Sequence, residues 1–379
     1  MKKDKNWFLL ITFLAATGLG AAYLVWVLMV TRTPVNFTDP PLIKPIVPIA
    51  EGHQVMPEKV KGIYITASTV GSARRFGELI DLVGRTELNA VVIDVKADSG
   101  ELAFAPLDPA LANFAGRAQM PRLEDMTADL HRRGIYIIAR IFVFEDPWYA
   151  ERVGSPLRTA SGDFWTDRKG IKWVDQADKE VWNYNAAIAR EVWRRGFDEV
   201  QFDYIRFPTD GDTKKIVYPV WDGQTPRRTV ITDFFRFLHD ELESEGIPVS
   251  VDLFGYAVRY DENDLGIGQN MKDALPFVTA ISPMVYPSHY YAGSYGLARP
   301  AEQPALIVAK SMAIAQDLIA SSTPDHATVR PWLQDFDIGA EYDAKKVRAQ
   351  IDAAEAGRAS GWLLWNARNV YTEGALRKE

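Results

Sequence analysis

The sequence predicts an α/β protein, a (β/α)8 TIM barrel preceded by an N-terminal transmembrane helix and a Pro-rich linker. Three observations predict it. From Lys61 onward, eight short runs of β-branched and aromatic residues alternate with longer amphipathic segments, the pattern of βα units around a parallel sheet. Polar residues recur on one face near the far ends of these runs. An uncharged apolar run precedes them all, set apart by prolines.

The N-terminus comes first. Met1-Lys-Lys-Asp-Lys-Asn6 leads into an apolar run from Trp7 to Val30 that carries no charge before Arg32. About 20 apolar residues span a bilayer as a helix, whereas the core of a cleaved signal peptide holds only about 7–15. Tyr23 to Val30 extends the run past the small residues Gly18-Leu-Gly-Ala-Ala22, so residues 1–30 are expected to form a cytoplasmic stub and an uncleaved anchor. Lys2, Lys3 and Lys5 keep the N-terminus in the cytoplasm by the positive-inside bias, which places the remainder outside, at the cell envelope. Residues 31–58 hold Pro34, Pro40, Pro41, Pro45, Pro48 and Pro57 without periodicity, which describes a semi-extended linker.

Residues 59–379 are expected to form the barrel. The predicted strands are Gly62–Thr66, Ala90–Val95, Ile135–Phe142, Glu199–Tyr204, Pro248–Leu253, Ala280–Tyr286, Val329–Gln334 and Gly361–Trp365. The predicted helices are Arg74–Gly84, Met120–Arg133, Lys179–Arg195, Thr229–Glu245, Glu302–Ala320 and Ala344–Ala356. Two of them run into Arg-Gly, at Arg133-Gly134 and Arg195-Gly196, which suits a helix C-terminus. The rival doubly wound sheet needs fewer strands and usually a phosphate-binding glycine loop. No GxGxxG follows the first strand.

Composition narrows the function. A net charge of −7 without any basic block argues against nucleic acid as a partner. The chain has no cysteine, which removes disulfides, thiolate metal sites and a cysteine nucleophile. The five histidines form no HxH or HExxH, and His289 alone falls near a predicted strand end. GxSxG and Walker motifs are absent as well, so no cofactor and no metal is expected.

Carboxylate chemistry remains. In a (β/α)8 barrel the active site lies at the C-terminal ends of the strands, and side chains alternate along each strand. Asp94 and Lys96 share a parity with Asp98 in the second strand, as do Gln201 and Asp203 in the fourth. Tyr136 and Ile138 share one with Arg140, Ser250 with Asp252, Ser282 and Met284 with Tyr286, and Arg330 with Trp332 and Gln334. Arg206 falls on the opposite parity unless its strand ends by Tyr204.

Asp203 and Asp252, on neighbouring strands, are the expected pair, because glycoside hydrolysis needs two carboxyl groups flanking the scissile bond. Crowding two carboxylates separates their pKa values and leaves one protonated as an acid. Strand-end charges that merely balance one another are the alternative. Aromatic residues cluster at the same ends: Trp148, Tyr149, Phe164, Trp165 and Trp173 in the third loop, then Tyr286, Tyr290, Tyr291, Trp332 and Trp365. Such rings stack on sugars or pack the core.

The runs Val60–Thr66, Asn89–Asp98, Phe202–Pro208 and Val251–Tyr256 together resemble the "putative glycosyl hydrolase domain" family of bacterial envelope proteins. Ile281–Pro287 and Trp332–Phe336 extend the likeness across roughly residues 60–370. The resemblance implies a glycosidase-like barrel and supplies no substrate. Asp203 is similar in position to the aspartate nucleophile that ends the fourth strand in the α-amylase and α-galactosidase groups. Asp252 would then be acid/base where the α-amylase pattern has Glu. Chitinase-type enzymes carry DxxDxDxE on that strand; Asp203-Tyr-Ile-Arg-Phe-Pro208 lacks the terminal Glu, although Met284-Val-Tyr286 and Trp365 are similar to that family's sixth and eighth strands.

The expectation is therefore a membrane-anchored glycoside hydrolase acting on an envelope or extracellular polysaccharide, with Asp203 and Asp252 catalytic. Asp94, Lys96, Arg140, Arg206, Tyr286, Trp332, Gln334, Trp365 and Asn366 would hold the sugar. The alternative is a catalytically inactive polysaccharide-binding or envelope-assembly module on the same barrel.

Overall fold

A computed structural model describes residues 52–117, 119–259, 263–322 and 327–378. The expected anchor at residues 1–30 and residues 31–51 of the expected linker lie outside these. Among the described residues no helix is long and apolar enough to cross a membrane.

The strands are β1 (Val60–Ile65), β2 (Ala90–Lys96), β3 (Tyr136–Phe142), β4 (Glu199–Asp203), β5 (Val249–Phe254), β6 (Ala280–Met284), β7 (Thr328–Val329), β8 (Trp332–Gln334) and β9 (Gly361–Trp365). All pair in parallel. β1 joins both β2 and β9, and β5 joins both β4 and β6, so the sheet closes into a barrel. The seventh position, expected as one strand, is two segments that both pair with β6. Arg330-Pro331 separates them, since proline has no N–H to give to the ladder.

Helices fall where apolar periodicity placed them, at Ala73–Gly84, Leu123–Arg132, Lys179–Arg194, Arg227–Glu241, Pro304–Ala320 and Ala344–Ala356. Local chemistry sets their ends. Asp178 and Asp343 cap their helices by accepting from the N–H groups of Glu180 and Lys346. Gly134 and Gly196 turn the chain out with φ of 70° and 95°, a region closed to most side chains.

Strand parity sorts two cores. Outward residues such as Ile63, Val91, Ile137, Val200 and Val251 pack on the helices. Inward residues such as Tyr64, Val92, Ile138, Tyr286, Trp332 and Leu363 fill the barrel. Its interior also holds charge. Glu199 is ion-paired with Arg330 and accepts from the hydroxyls of Ser250 and of Tyr136, the latter at 3.1 Å. This ionic layer lies at the start of β4, and Asp203 ends the same strand.

Candidate active site

Four neighbouring strands bring four side chains to one place. Asp94 stands in register with Arg140, Arg140 with Gln201, and Asp252 with Ser282. Arg140 is the hub. Its Nη1 donates to Asp94 Oδ1 at 2.8 Å, its Nε to Asp252 Oδ2 at 3.3 Å, and its Nη2 pairs with Asp203. The remaining carboxylate oxygens are also occupied: Tyr64 donates its hydroxyl to Asp94, Trp332 Nε1 donates to Asp252 at 2.7 Å, and the Tyr204 N–H donates to Asp203 at 2.5 Å. Phe142 and Trp365 lie against the guanidinium, with ring centres 4.5 and 4.9 Å from Cζ.

All four groups are buried, Asp252 completely. Three carboxylates thus face one guanidinium, an imbalance that raises proton affinity. Burial and the neighbouring Asp203 push the Asp252 carboxyl well above its ordinary value, against the opposing pull of Arg140 and Trp332. Burial also raises Asp94, less so because Arg140 and Tyr64 oppose it. For Arg140 burial favours the neutral form, but Asp203, Asp94 and Asp252 outweigh it and keep the group charged.

A cavity of about 510 Å³ opens above the cluster. Asp203 and Asp252 line it together with Arg140, Arg206, Tyr286, Trp332 and Trp365, seven of the residues expected at the site. Tyr290 and Tyr291 are also in its wall, and Tyr291, stacked on Tyr256 with ring centres 5.8 Å apart, is 78% exposed at the mouth, where an aromatic ring suits contact with a sugar. Trp165 and Trp173 are instead core residues.

Arg206 reaches the cavity because β4 stops at Asp203 and Tyr204 takes a φ of 55°, which ends the strand's alternation. A bulky residue in that region is strained, a feature common at functional sites.

Four expected residues are elsewhere. Asp94 lies behind Arg140 and shapes the cluster through it. Lys96 is corrected by a bulge between Asp94 and Lys96, which turns its side chain away from the parity of Asp94. Its ammonium donates to Asp146 at 2.7 Å and to Asn185 of the helix Lys179–Arg194 at 2.9 Å. Gln334 accepts from the Ser288 N–H and donates to Phe336 O, tying two loops together. Asn366 donates to Asp335 O, just past β8, and accepts from the Arg368 N–H in its own turn, joining the two segments. None of the four belongs to the cavity wall.

Sequence reasoning missed Glu145. It follows β3 by three residues and is 3% exposed. Burial, helped by Asp167 and Asp203 and opposed by Arg206 and Lys169, pushes its carboxyl up to about 8. The signal was present as the acidic pair Glu145-Asp146 just past a strand end. Asp146 proves structural, capping the helix Pro147–Arg152 and holding Lys96.

Glu145 makes stability depend on pH. A carboxyl raised in the folded state contributes its full stability below its unfolded value, near 4.5, and loses it as pH rises through about 8. Glu145→Gln is therefore expected to gain stability relative to the unmodified protein between pH 5 and 9 in urea titrations. Parallel curves across that range would contradict this.

Solved structures share the architecture. The PgaB (BpsB) glycoside hydrolase domain from Bordetella bronchiseptica is 15% identical, with 81% of this chain and 94% of that one covered at a TM-score of 0.60. The α-galactosidase TtGalA from Thermus thermophilus, solved with p-nitrophenyl α-D-galactopyranoside, is 10% identical, covering 83% of this chain and 60% of that one at a TM-score of 0.50. At such identities the likeness speaks for the barrel alone. No curated protein matches the sequence. The profile of the family described as "Putative glycosyl hydrolase domain" matches residues 62–371, well over half of the chain, and the chain belongs to that family.

Proposed function

We propose that this protein hydrolyses glycosidic bonds in an envelope or extracellular polysaccharide, with Asp203 as nucleophile and Asp252 as acid/base. The observation that carries the reading is the pair of buried carboxylates held on one guanidinium at the floor of an aromatic cavity.

The roles follow from environment. Asp252 holds its proton more tightly than usual, which suits a group that protonates the leaving oxygen. Asp203 accepts from Arg140 and from the Tyr204 N–H, which fixes a carboxylate oxygen for attack on the anomeric carbon. The glycosyl ester then releases its sugar to water, deprotonated by Asp252. Trp332 orients Asp252 throughout. Two carboxyl groups bound to nitrogens of the same guanidinium fit the short separation of a retaining enzyme, about 5–5.5 Å, better than the 6.5–9.5 Å of an inverting one.

Release of reducing ends from cell-wall and capsule polysaccharides tests the reading. Turnover is expected, and the first sugar formed should keep its anomeric configuration by NMR. Inversion would reassign Asp203 as a base. Glycan binding without any product would favour the inactive binding module, a reading that gains support from the full occupation of Asp252 by Arg140 and Trp332.

The location is part of the proposal: residues 7–30 anchor the chain with its N-terminus in the cytoplasm and the barrel outside. Protease added to intact spheroplasts should digest the barrel; full protection would reverse the topology.

A further inference from the structure

We propose that the cavity receives a glycan unit bearing a carboxylate, of the uronic acid type, held by Arg206 with Lys169 beside it. The inference rests on the cavity being a glycan site and adds the charge of its ligand.

Arg206 lines the cavity and is 8% exposed. A buried charge normally needs a partner. Its faces are taken by aromatic rings, with Trp173 at 4.8 Å, Phe254 at 4.9 Å and Tyr204 at 5.3 Å from Cζ. Its Nη1 donates to Phe207 O and Thr209 Oγ1, both at 3.2 Å. Among the described residues Nε and Nη2 donate to nothing, and no carboxylate pairs with the group.

Arg140 is the contrast, since each of its three nitrogens meets an aspartate. The open Nε–Nη2 edge of Arg206 is the planar fork that binds a carboxylate through two parallel hydrogen bonds. The acids that act on Arg206 do not close this edge: Asp203 is paired with Arg140, and burial pushes the Glu145 carboxyl up to about 8, which favours its neutral form. Lys169, exposed in the same wall, also makes no ion pair among the described residues.

The chemistry of a uronic acid suits this separation of charges. Its carboxylate sits on C5, across the ring oxygen from the anomeric carbon. One end of the sugar can therefore meet Arg206 while the other faces Asp203, with Arg140 shielding the carboxylates of the floor.

The test is an NMR titration of the full-length protein with tetramers of galacturonate, glucuronate and mannuronate, each beside its carboxyl-reduced neutral counterpart. At least one uronate tetramer is expected to bind about tenfold more tightly than its counterpart, the size of one charge-assisted contact. Arg206→Met should erase that preference, and Lys169→Ala, at an exposed site, should reduce it without changing the melting temperature. Arg206→Lys, which keeps charge but loses the fork, should retain part of it and serves if the methionine variant does not fold.

Equal affinity for charged and neutral tetramers, no binding of any tetramer, an undiminished preference in the Arg206 variants, or tighter binding of a sulfated chain than of any uronate would each overturn the inference. The hydrolase reading fails separately. Uronate binding without reducing-end release would remove the enzyme and keep the ligand class. Cleavage of a neutral glycan that is indifferent to Arg206 would do the reverse.

Discussion

Asp203→Asn is expected to lower kcat by roughly 10³-fold or more, about 4 kcal/mol of transition-state stabilisation, while the barrel stays folded. The amide has the shape of the carboxylate, and Arg140 keeps Asp94 and Asp252 as partners. Asparagine cannot, however, satisfy both donors that Asp203 now accepts from, the Arg140 guanidinium and the Tyr204 N–H. One side of the amide presents its own N–H to a donor, so a modest drop in melting temperature is also expected.

Two readouts separate chemistry from structure. Circular dichroism should be unchanged, and azide should restore turnover on an activated glycoside to the asparagine variant, because a small anion can attack in place of the missing nucleophile. Turnover close to that of the unmodified protein would remove Asp203 from the mechanism. Rescue without formation of a glycosyl azide would make it a base.

Arg140→Met is expected to cost stability rather than activity alone, by roughly 3–5 kcal/mol, the usual effect of breaking a buried ionic cluster from one side. The substitution leaves Asp94, Asp203 and Asp252 buried without the cation that all three touch. The sign with pH is definite. Asp94 and Asp252 already have raised carboxyl pKa values, and losing Arg140 raises them further. The cluster is then tolerated below the unfolded carboxylate range and becomes costly as pH rises.

The deficit of the variant should accordingly be largest near pH 8 and shrink toward pH 5 in urea titrations. Arg140→Lys should fall between the two, since a single ammonium cannot reach three carboxylates as a planar fork does. A methionine variant as stable as the unmodified protein at pH 8 would show that the carboxylates are neutral there and that Arg140 is no hub.

The fold was legible because its determinants are local. A barrel strand buried on both faces is a short apolar run, and a covering helix is an amphipathic one. The eight runs and their intervening helices were therefore found near their observed bounds. Parity along the strands, fixed by the pleat, also brought Asp203, Asp252 and Arg140 to one mouth. It failed at Lys96, where a single extra residue in β2 reverses the side chain, and it does not govern Arg206, because β4 ends at Asp203 and the left-handed Tyr204 follows. A bulge and one left-handed residue leave little trace in composition.

What the sequence determined by itself is the barrel, the family and the gathering of carboxylates at the strand ends, because periodicity, turn chemistry and strand parity act between near neighbours. Tertiary structure decided the rest: that one guanidinium serves three aspartates, that Lys96 is paired outside the cavity, that Gln334 and Asn366 brace loops, and that Glu145 is buried beside the site. These outcomes depend on which groups meet across strands and loops far apart in the chain, and on how much water each keeps, quantities that no local pattern encodes.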